Sequence, residues 1–290
     1  MTEQIIVQLN PDVPPTGSDL GIVNAARKSF GRRSEWQLTN NTDPHHGGKI
    51  APYHELSDKD KRLLEFLARG MTADDFGEFL SEVADGHSWM DDFSLDTRDW
   101  SELPDVTKLL WQWRNTPTHD TPFNHGFFSF EVKAPIFVAR HLVKHEYLIM
   151  SEYSRRYITD DVEFYVPEVW RKAAKDVKQG SSSEAVGMYE SLWGFANTDE
   201  DYCAHMKEGV YLYNHLIEQG VAPEQARMVL PQSLMTSWTW SGTLGAFANM
   251  CRLRLNKDTQ YETRLVAESV YSELKKQFPV SAPLLVEGVF

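Results

Sequence analysis

The sequence predicts an α+β fold, and three observations carry that prediction. Strand-like and helix-like patterns arrive in runs, in the order strand, helices, strand, helices, instead of alternating as they do in a parallel doubly wound sheet. No strand is followed by a G-x-G-x-x-G turn or a Walker loop, so any nucleotide would have to be held by side chains and helix ends. The chain has 290 residues, is 41% apolar and contains nine Trp, enough to bury a core as one large domain or two small ones.

The elements follow in order. IIVQL (5–9) is a short strand, PDVPPTGSD a turn, and GIVNAARKSF (21–30) a helix. Residues 31–57 are polar, with Asn40-Asn41 and Gly47-Gly48, and predict an extended loop. DKDKRLLEFLARG (58–70) predicts a helix opened by Ser57, with acids in its first turn, and closed by Gly70. Between Asp74 and Asp105 stand eleven acidic residues and one basic one, Arg98. Phe76, Phe79, Trp89, Phe93 and Trp100 are interleaved, which suits a short helix plus surface loop, or an insertion that docks a partner.

FFSFEVK (127–133) alternates, with Phe128, Phe130 and Val132 against Ser129, Glu131 and Lys133, as a half-buried strand does. Pro135 suits the first turn of a helix, where its missing N–H costs nothing. The pattern places Ala139, Leu142, Val143 and Met150 on the apolar stripe of that helix and ends it near Ser154. SSSE (181–184) is a polar loop. The C-terminal half is mainly helical: MKEGVYLYNHLIEQG closing at Gly220, a short PEQARMVLP segment, a long apolar helix through Trp238, Leu244, Phe247 and Met250 to Leu253, then KDTQYETRLVAESVYSELKKQF. No linker or repeat divides the chain, which is expected to form one domain over 1–290.

The formal charge of −13 argues against a nucleic-acid or membrane-surface binder, and any phosphate must be met by a local cluster of cations. Cys203 and Cys251 lie far apart without metal-ligand spacing, so free, buried thiols in a reducing compartment are expected. The opening MTEQIIVQLN lacks the basic region and apolar run of a signal peptide, and no apolar run approaches the ~18–20 residues that span a bilayer. A soluble, cytoplasmic protein is the expectation.

Charge is densest in KHEYLIMSEYSRRY (144–157). His141 and His145 are four apart, with Glu146 and Glu152 near, but this is neither HExxH nor a carboxylate-rich di-iron set, and no metal is expected. There is no G-x-S-x-G, and neither cysteine has an activating neighbour in sequence. An anion site built from dispersed arginines is the remaining chemistry: the SRRY turn, Arg227, and Arg252 with Arg254. The planar guanidinium donates two parallel charge-assisted bonds to phosphate.

The sequence resembles the flavin-dependent thymidylate synthase family, whose signature is R-H-R-x-x-S-x-N-E-x-S-x-R-Y. KHEYLIMSEYSRRY matches it without a gap at His145, Glu152, Ser154, Arg156 and Tyr157. THDTPFNH (118–125) resembles the family's H-E-T-P-F-E-H, GVAPEQARMVLP its G-V-P-R-E-x-A-R-x-V-L-P, and LRLNKDTQYE its L-R-x-x-x-x-x-Q-x-E. FEVKAPIFVAR and NAARKSF also fit, and order and spacing agree over about 200 of the 290 residues. The acidic stretch at about 70–110 has no counterpart and looks like an insertion.

The resemblance implies a mainly antiparallel sheet with a helical C-terminal half, in a homotetramer that binds FAD and dUMP at subunit interfaces. It implies transfer of a methylene from methylenetetrahydrofolate and reduction by hydride from a flavin that NADPH has reduced, giving dTMP. Carried over by position, Ser154, Arg155 and Arg156 would bind the nucleotide phosphate, with Arg227 coming from another subunit. Glu152, His141 and Lys144 belong to the nucleotide pocket. Arg254 would sit against the pyrimidine carbonyls and favour the ionised ring whose C5 is nucleophilic, which makes it the catalytic residue. His119, Thr121, Lys144, His145, Glu146, Glu152, Thr243 and Asn249 fall at or near flavin positions.

The chain also departs from the family. The signature's arginines are Lys144 and Glu146, and its serine and asparagine are Ile149 and Ser151. Thr243 replaces an asparagine, Gly245 an arginine and His141 a glutamine. Lysine lacks the bidentate fork, and glutamate repels a diphosphate. The changes cluster toward flavin and folate, while the phosphate and pyrimidine positions are mostly kept. Conversion of dUMP to dTMP is therefore the first expectation. C5 methylation or hydroxymethylation of dCMP or dUMP is the second, and a non-catalytic nucleotide-binding or scaffold homologue the third.

Overall fold

A computed structural model describes residues 4–39, 53–69, 119–157, 159, 162–174, 181–186, 189–191, 194–196 and 198–287. The acidic stretch at about 70–110 lies outside them.

Strand β1 (Ile6–Leu9) is followed by helix α1 (Asp19–Arg27), whose cap Ser18 accepts a bond from the Gly21 N–H at 3.2 Å. The segment expected to be a loop contains an antiparallel pair, β2 (Gln37–Thr39) with β3 (Tyr53–Glu55). Helix α2 (Asp58–Arg69) begins after Ser57, as its acidic first turn predicts. Strand β4 (Phe127–Pro135) then runs directly into helix α3 (Ile136–Leu142), with Pro135 at its N-cap.

Helix α3 stops twelve residues earlier than the sequence pattern predicts. The His145 N–H bonds to the Leu142 carbonyl, Tyr147 adopts a left-handed φ of 63°, and β5 (Leu148–Glu152) follows. His141 and His145 therefore do not share a helical face. Later elements are the antiparallel pairs β6 (Arg171–Ala173) with β7 (Ser181–Ala185), and β8 (Tyr189–Ser191) with β9 (Gly194–Ala196). The SSSE segment is thus strand, not loop. Helix α4 (Thr198–Glu218) covers the expected MKEGVYLYNHLIEQG helix but begins eight residues earlier, at Thr198 and not Met206, and α5 (Pro223–Ala226) opens at Pro223 as expected.

Strand β10 (Met235–Thr243) corrects a second expectation, that of one helix running through Trp238 to Leu253. Buried and half-buried residues alternate along it, and its Trp and β-branched Thr residues favour a pleated surface. The helix begins only at α6 (Leu244–Arg254) and is followed by α7 (Tyr261–Gln277) and α8 (Ser281–Val286). No described helix is long and apolar enough to cross a membrane.

The described chain falls into two compact units. The first comprises residues up to 14, 128–242 and 250–270, and holds a four-stranded sheet in the order β1-β4-β10-β5. β1 pairs antiparallel with β4, and β5 antiparallel with β10, where Leu148 faces Gly242 and Glu152 faces Trp238. A Cβ at Gly242 would come within 2.5 Å of the Leu148 side chain, so glycine is what lets β5 close on β10. Bonds from Thr239 to Glu131 (2.7 Å) and Ser241 to Ser129 (2.8 Å) step in opposite directions along β10 and β4, so the sheet is antiparallel here too. Phe128, Phe130, Val132, Leu142, Trp238 and Trp240 are buried, which is the apolar face the FFSFEVK alternation predicts. Cys251 is buried, whereas Cys203 is half-buried; both are free thiols.

The second unit comprises 15–127, 243–249 and residues from 271 onward, as far as they are described. α1 and α8 pack on α2. Arg27 pairs with the nearly buried Asp60 at 2.5 Å, and Ser34 and Ser57 also donate to that carboxylate. Asp19 accepts from the Val280 and Ser281 N–H groups at the start of α8.

Candidate functional site

The chain end of β5 builds the first half of the candidate site. Pairing with β10 fixes Glu152, and the Thr236 hydroxyl donates to its carboxylate at 3.0 Å. The chain then turns, with the Tyr157 N–H bonding the Ser154 carbonyl. Within the turn the Arg156 Nε donates to Ser154 Oγ at 3.2 Å, and its guanidinium lies over the Tyr157 ring at 5.0 Å. The 3-10 turn after α5 presents Arg227, whose Nε bonds the Glu224 carbonyl.

These residues meet at one pocket of about 360 Å³, lined by Glu152, Ser154, Arg155, Arg156, Arg227 and Arg140 of α3. Four arginines against one carboxylate make it an anion pocket. Arg227, expected from another subunit, also lines this pocket within the single chain described. Proline at the start of α5 and the short turn after Ala226 hold it there. Arg140 was missed, although it stands inside the FEVKAPIFVAR segment that carries part of the family resemblance.

The second half gathers around Arg254, at the C-terminal end of α6. Its Nε donates to His145 Nε2 at 2.9 Å, and its Nη2 donates to the His141 carbonyl at 3.2 Å. His141 Nδ1 in turn lies 3.1 Å from the buried Thr263 hydroxyl of α7, another residue the sequence did not single out. Burial, and then the charge of Arg254, lower the pKa of His145 to about 4, and the same two causes lower that of His141. Both imidazoles are therefore neutral near pH 7. The His145 Nε2 lone pair is engaged by Arg254, and among the described residues no three potential metal ligands gather.

His141 and Arg254 line a cleft of roughly 1140 Å³, together with Tyr165, Trp170, Arg171 and Glu262. Arg171 is neutralised there by Glu262 at 2.6 Å and lies over the Tyr261 ring at 4.2 Å. Among the described residues no carboxylate pairs with Arg254, so its charge is offered to the cleft. Among the described residues, none that lines the arginine pocket also lines this cleft.

The remaining predicted positions divide between the units. Lys144 and Glu146 are exposed, flanking His145 in the turn between α3 and β5. In the second unit His119 stacks on Phe66 at 5.8 Å, and Thr121 and Asn249 are exposed. The Thr243 hydroxyl donates to Asn124 at 2.6 Å, and a Cβ on Gly245 would come within 2.7 Å of the same amide oxygen. Asn124 thus fills the space beside two positions that depart from the family pattern.

An antiparallel sheet that ends in an arginine pocket, with a separately anchored arginine beside a cleft, defines a class of anion-binding α+β protein. The family profile described as thymidylate synthase complementing protein matches residues 16–280, and the chain belongs to that family. A flavin-dependent thymidylate synthase of Thermus thermophilus is 37% identical over 180 residues, 59% of this chain and 62% of that one. Those of Ehrlichia ruminantium and Dictyostelium discoideum are 35% and 30% identical over 175 and 173 residues. The match spans about three fifths of the length of these relatives. Among solved structures, the UMP/dUMP methylase PolB from Streptomyces cacaoi, bound with 5-Br dUMP, superposes with a TM-score of 0.58. It covers 96% of this chain and 93% of its own at 23% identity, a likeness of fold.

Proposed function

We propose that this chain methylates a pyrimidine deoxynucleoside monophosphate at C5, converting dUMP to dTMP with methylenetetrahydrofolate as one-carbon donor and NADPH as reductant. The observation that carries the proposal is the convergence of Ser154, Arg155, Arg156 and Arg227 on one pocket, where three guanidiniums can meet a phosphate. Arg140 adds a fourth guanidinium that the resemblance did not require.

Arg254 supplies the second requirement. A guanidinium fixed against the pyrimidine carbonyls stabilises negative charge as it develops on the ring, and so favours attack from C5. Because the pocket and the cleft share no lining residue, one nucleotide would draw its phosphate grip and its base contact from two copies of the chain. A homotetramer with interfacial sites accounts for that division. Glu152, kept in place by Thr236, stands at the rim of the phosphate pocket, where it can accept from a sugar hydroxyl.

The donor set of the second unit, His119, Thr121, Thr243 and Asn249, is polar and mostly exposed, and it fits a flavin such as FAD. The flavin, when bound, would supply the hydride that completes the methyl group. At the first unit's positions where the family has arginines, Lys144 offers only a point charge and Glu146 a carboxylate that repels a diphosphate. His141, where the family has glutamine, would stand beside the base.

The test is product mass. Purified protein is given FAD, methylenetetrahydrofolate and NADPH with either dUMP or dCMP. A methyl gain on dUMP supports the proposal. A hydroxymethyl gain, or reaction with dCMP in its place, would redirect it, and no change with either nucleotide would contradict it.

A further inference from the structure

We infer that His145 is a positioning residue, whose neutral imidazole in the Nδ1–H tautomer fixes the Arg254 guanidinium at the cleft and whose protonation releases it. The catalytic consequence rests on the nucleotide reading above; the tautomer and the bond do not.

Donor chemistry settles the tautomer. A guanidinium has five N–H donors, no acceptor, and does not deprotonate in proteins. The 2.9 Å contact from Arg254 Nε therefore requires a lone pair on His145 Nε2, and a neutral imidazole must then carry its proton on Nδ1. A cationic imidazole would present a second N–H and a like charge at that distance, and the bond could not survive.

The second hold explains why this bond matters. Arg254 Nη2 donates to the carbonyl of His141, in the last turn of α3, where helix carbonyls lack intrahelical partners and carry the negative end of the helix dipole. Two bonds to one side of a planar group fix its orientation as well as its place. Both acceptors are uncharged. A carboxylate at position 145 would hold the guanidinium as firmly but would neutralise the charge that the ligand is meant to meet. The imidazole orients without neutralising.

The groups around His145 are consistent with this role. From α6 comes Arg254, and from α3 comes His141, itself tied to Thr263 of α7. Lys144 and Glu146 flank it in the turn and are exposed. Burial first, and Arg254 second, keep His145 neutral down to about pH 4. In an unfolded chain the same imidazole titrates near ~6.5. Between those values the unfolded state binds more protons, so this contribution to stability is complete above about pH 6.5 and is lost as pH falls toward 4.

The test pairs His145→Gln, whose amide oxygen can still accept from Arg254, with His145→Phe, which keeps a ring but no acceptor. Nitrogen NMR of histidine-labelled protein should show His145 as the Nδ1–H tautomer at pH 7 and still at pH 5. Calorimetric titration with dUMP should show affinity about tenfold weaker in the Phe variant, as for one lost charge-assisted bond, with most of it restored in the Gln variant. Deoxyribose 5-phosphate, which lacks the base, should bind all three proteins alike. A protonated Nε2 at pH 7, or a Phe variant that binds dUMP as the wild type does, would overturn the inference. Wild-type protein that has the Nδ1–H tautomer yet binds no dUMP would support the hold on Arg254 and instead sink the nucleotide reading.

Discussion

The arginine pocket at the end of β5 and the cleft below α6 present positive charge in opposite ways. The pocket relies on number: four guanidiniums face one carboxylate, two of them in adjacent positions of an exposed turn. The cleft relies on orientation: Arg254 is held by an imidazole nitrogen and a backbone carbonyl, while the nearby Arg171 is cancelled by Glu262. A phosphate carries full charge before, during and after reaction, and a set of neighbouring guanidiniums suffices to grip it. Charge that appears on a pyrimidine ring only in the transition state needs a donor already aimed at the right atom.

That contrast can be broken by mutation, and the largest effect should come from the cleft. Arg254→Ala is expected to lower kcat by about 10²- to 10³-fold, the usual loss when a preorganised donor to developing charge is removed. Nucleotide KM should change less, and steady-state kinetics separate the two. In the pocket the pattern should reverse. Arg227→Ala should raise the KM for dUMP by about 10- to 100-fold, as for a lost charge-assisted phosphate contact, with kcat largely kept. Equal effects of both substitutions on kcat would erase the distinction between the two regions.

Smaller effects sharpen it. Arg156→Lys keeps the charge but loses the planar fork, and should raise KM by less than Arg227→Ala does. Arg140→Ala should raise KM only a few-fold, since three other arginines remain, and would show whether α3 contributes to the grip. Added salt should weaken dUMP binding through the exposed pocket, and the slope of that dependence should fall in Arg227→Ala. The same salt series should leave the ratio of kcat between wild type and Arg254→Ala nearly unchanged.

Much of this was legible in the sequence where local pattern and tertiary structure agree. FFSFEVK reads as a strand because Phe128, Phe130 and Val132 form a buried face of β4, although Ser129 across from them is buried as well, and the acidic first turn after Ser57 marks the start of α2. SEYSRRY and QARMVLP point to an anion site because arginine is the residue that grips phosphate, and the fold brings both to one pocket. The two segments misread as helix share one cause. LIMSE and MTSWTWSGT each adjoin a true helix, and their apolar residues can be counted at helical spacing as easily as at period two. What makes them strands is their pairing with each other, Leu148 against Gly242 through Glu152 against Trp238, and a partner ninety residues away leaves no local mark. The roles of Thr263 and Arg140 were hidden for the same reason, because each depends on an element distant in sequence or on the face of a short helix.

The central claim is that Arg254 activates C5 of a nucleotide whose phosphate sits among Arg155, Arg156 and Arg227. Release of tritium from dUMP labelled at C5 tests it most directly, since that hydrogen leaves only when the ring carbon is substituted. Release is expected to require methylenetetrahydrofolate and to be nearly abolished in Arg254→Ala while dUMP still binds. Release at the wild-type rate from Arg254→Ala would contradict it.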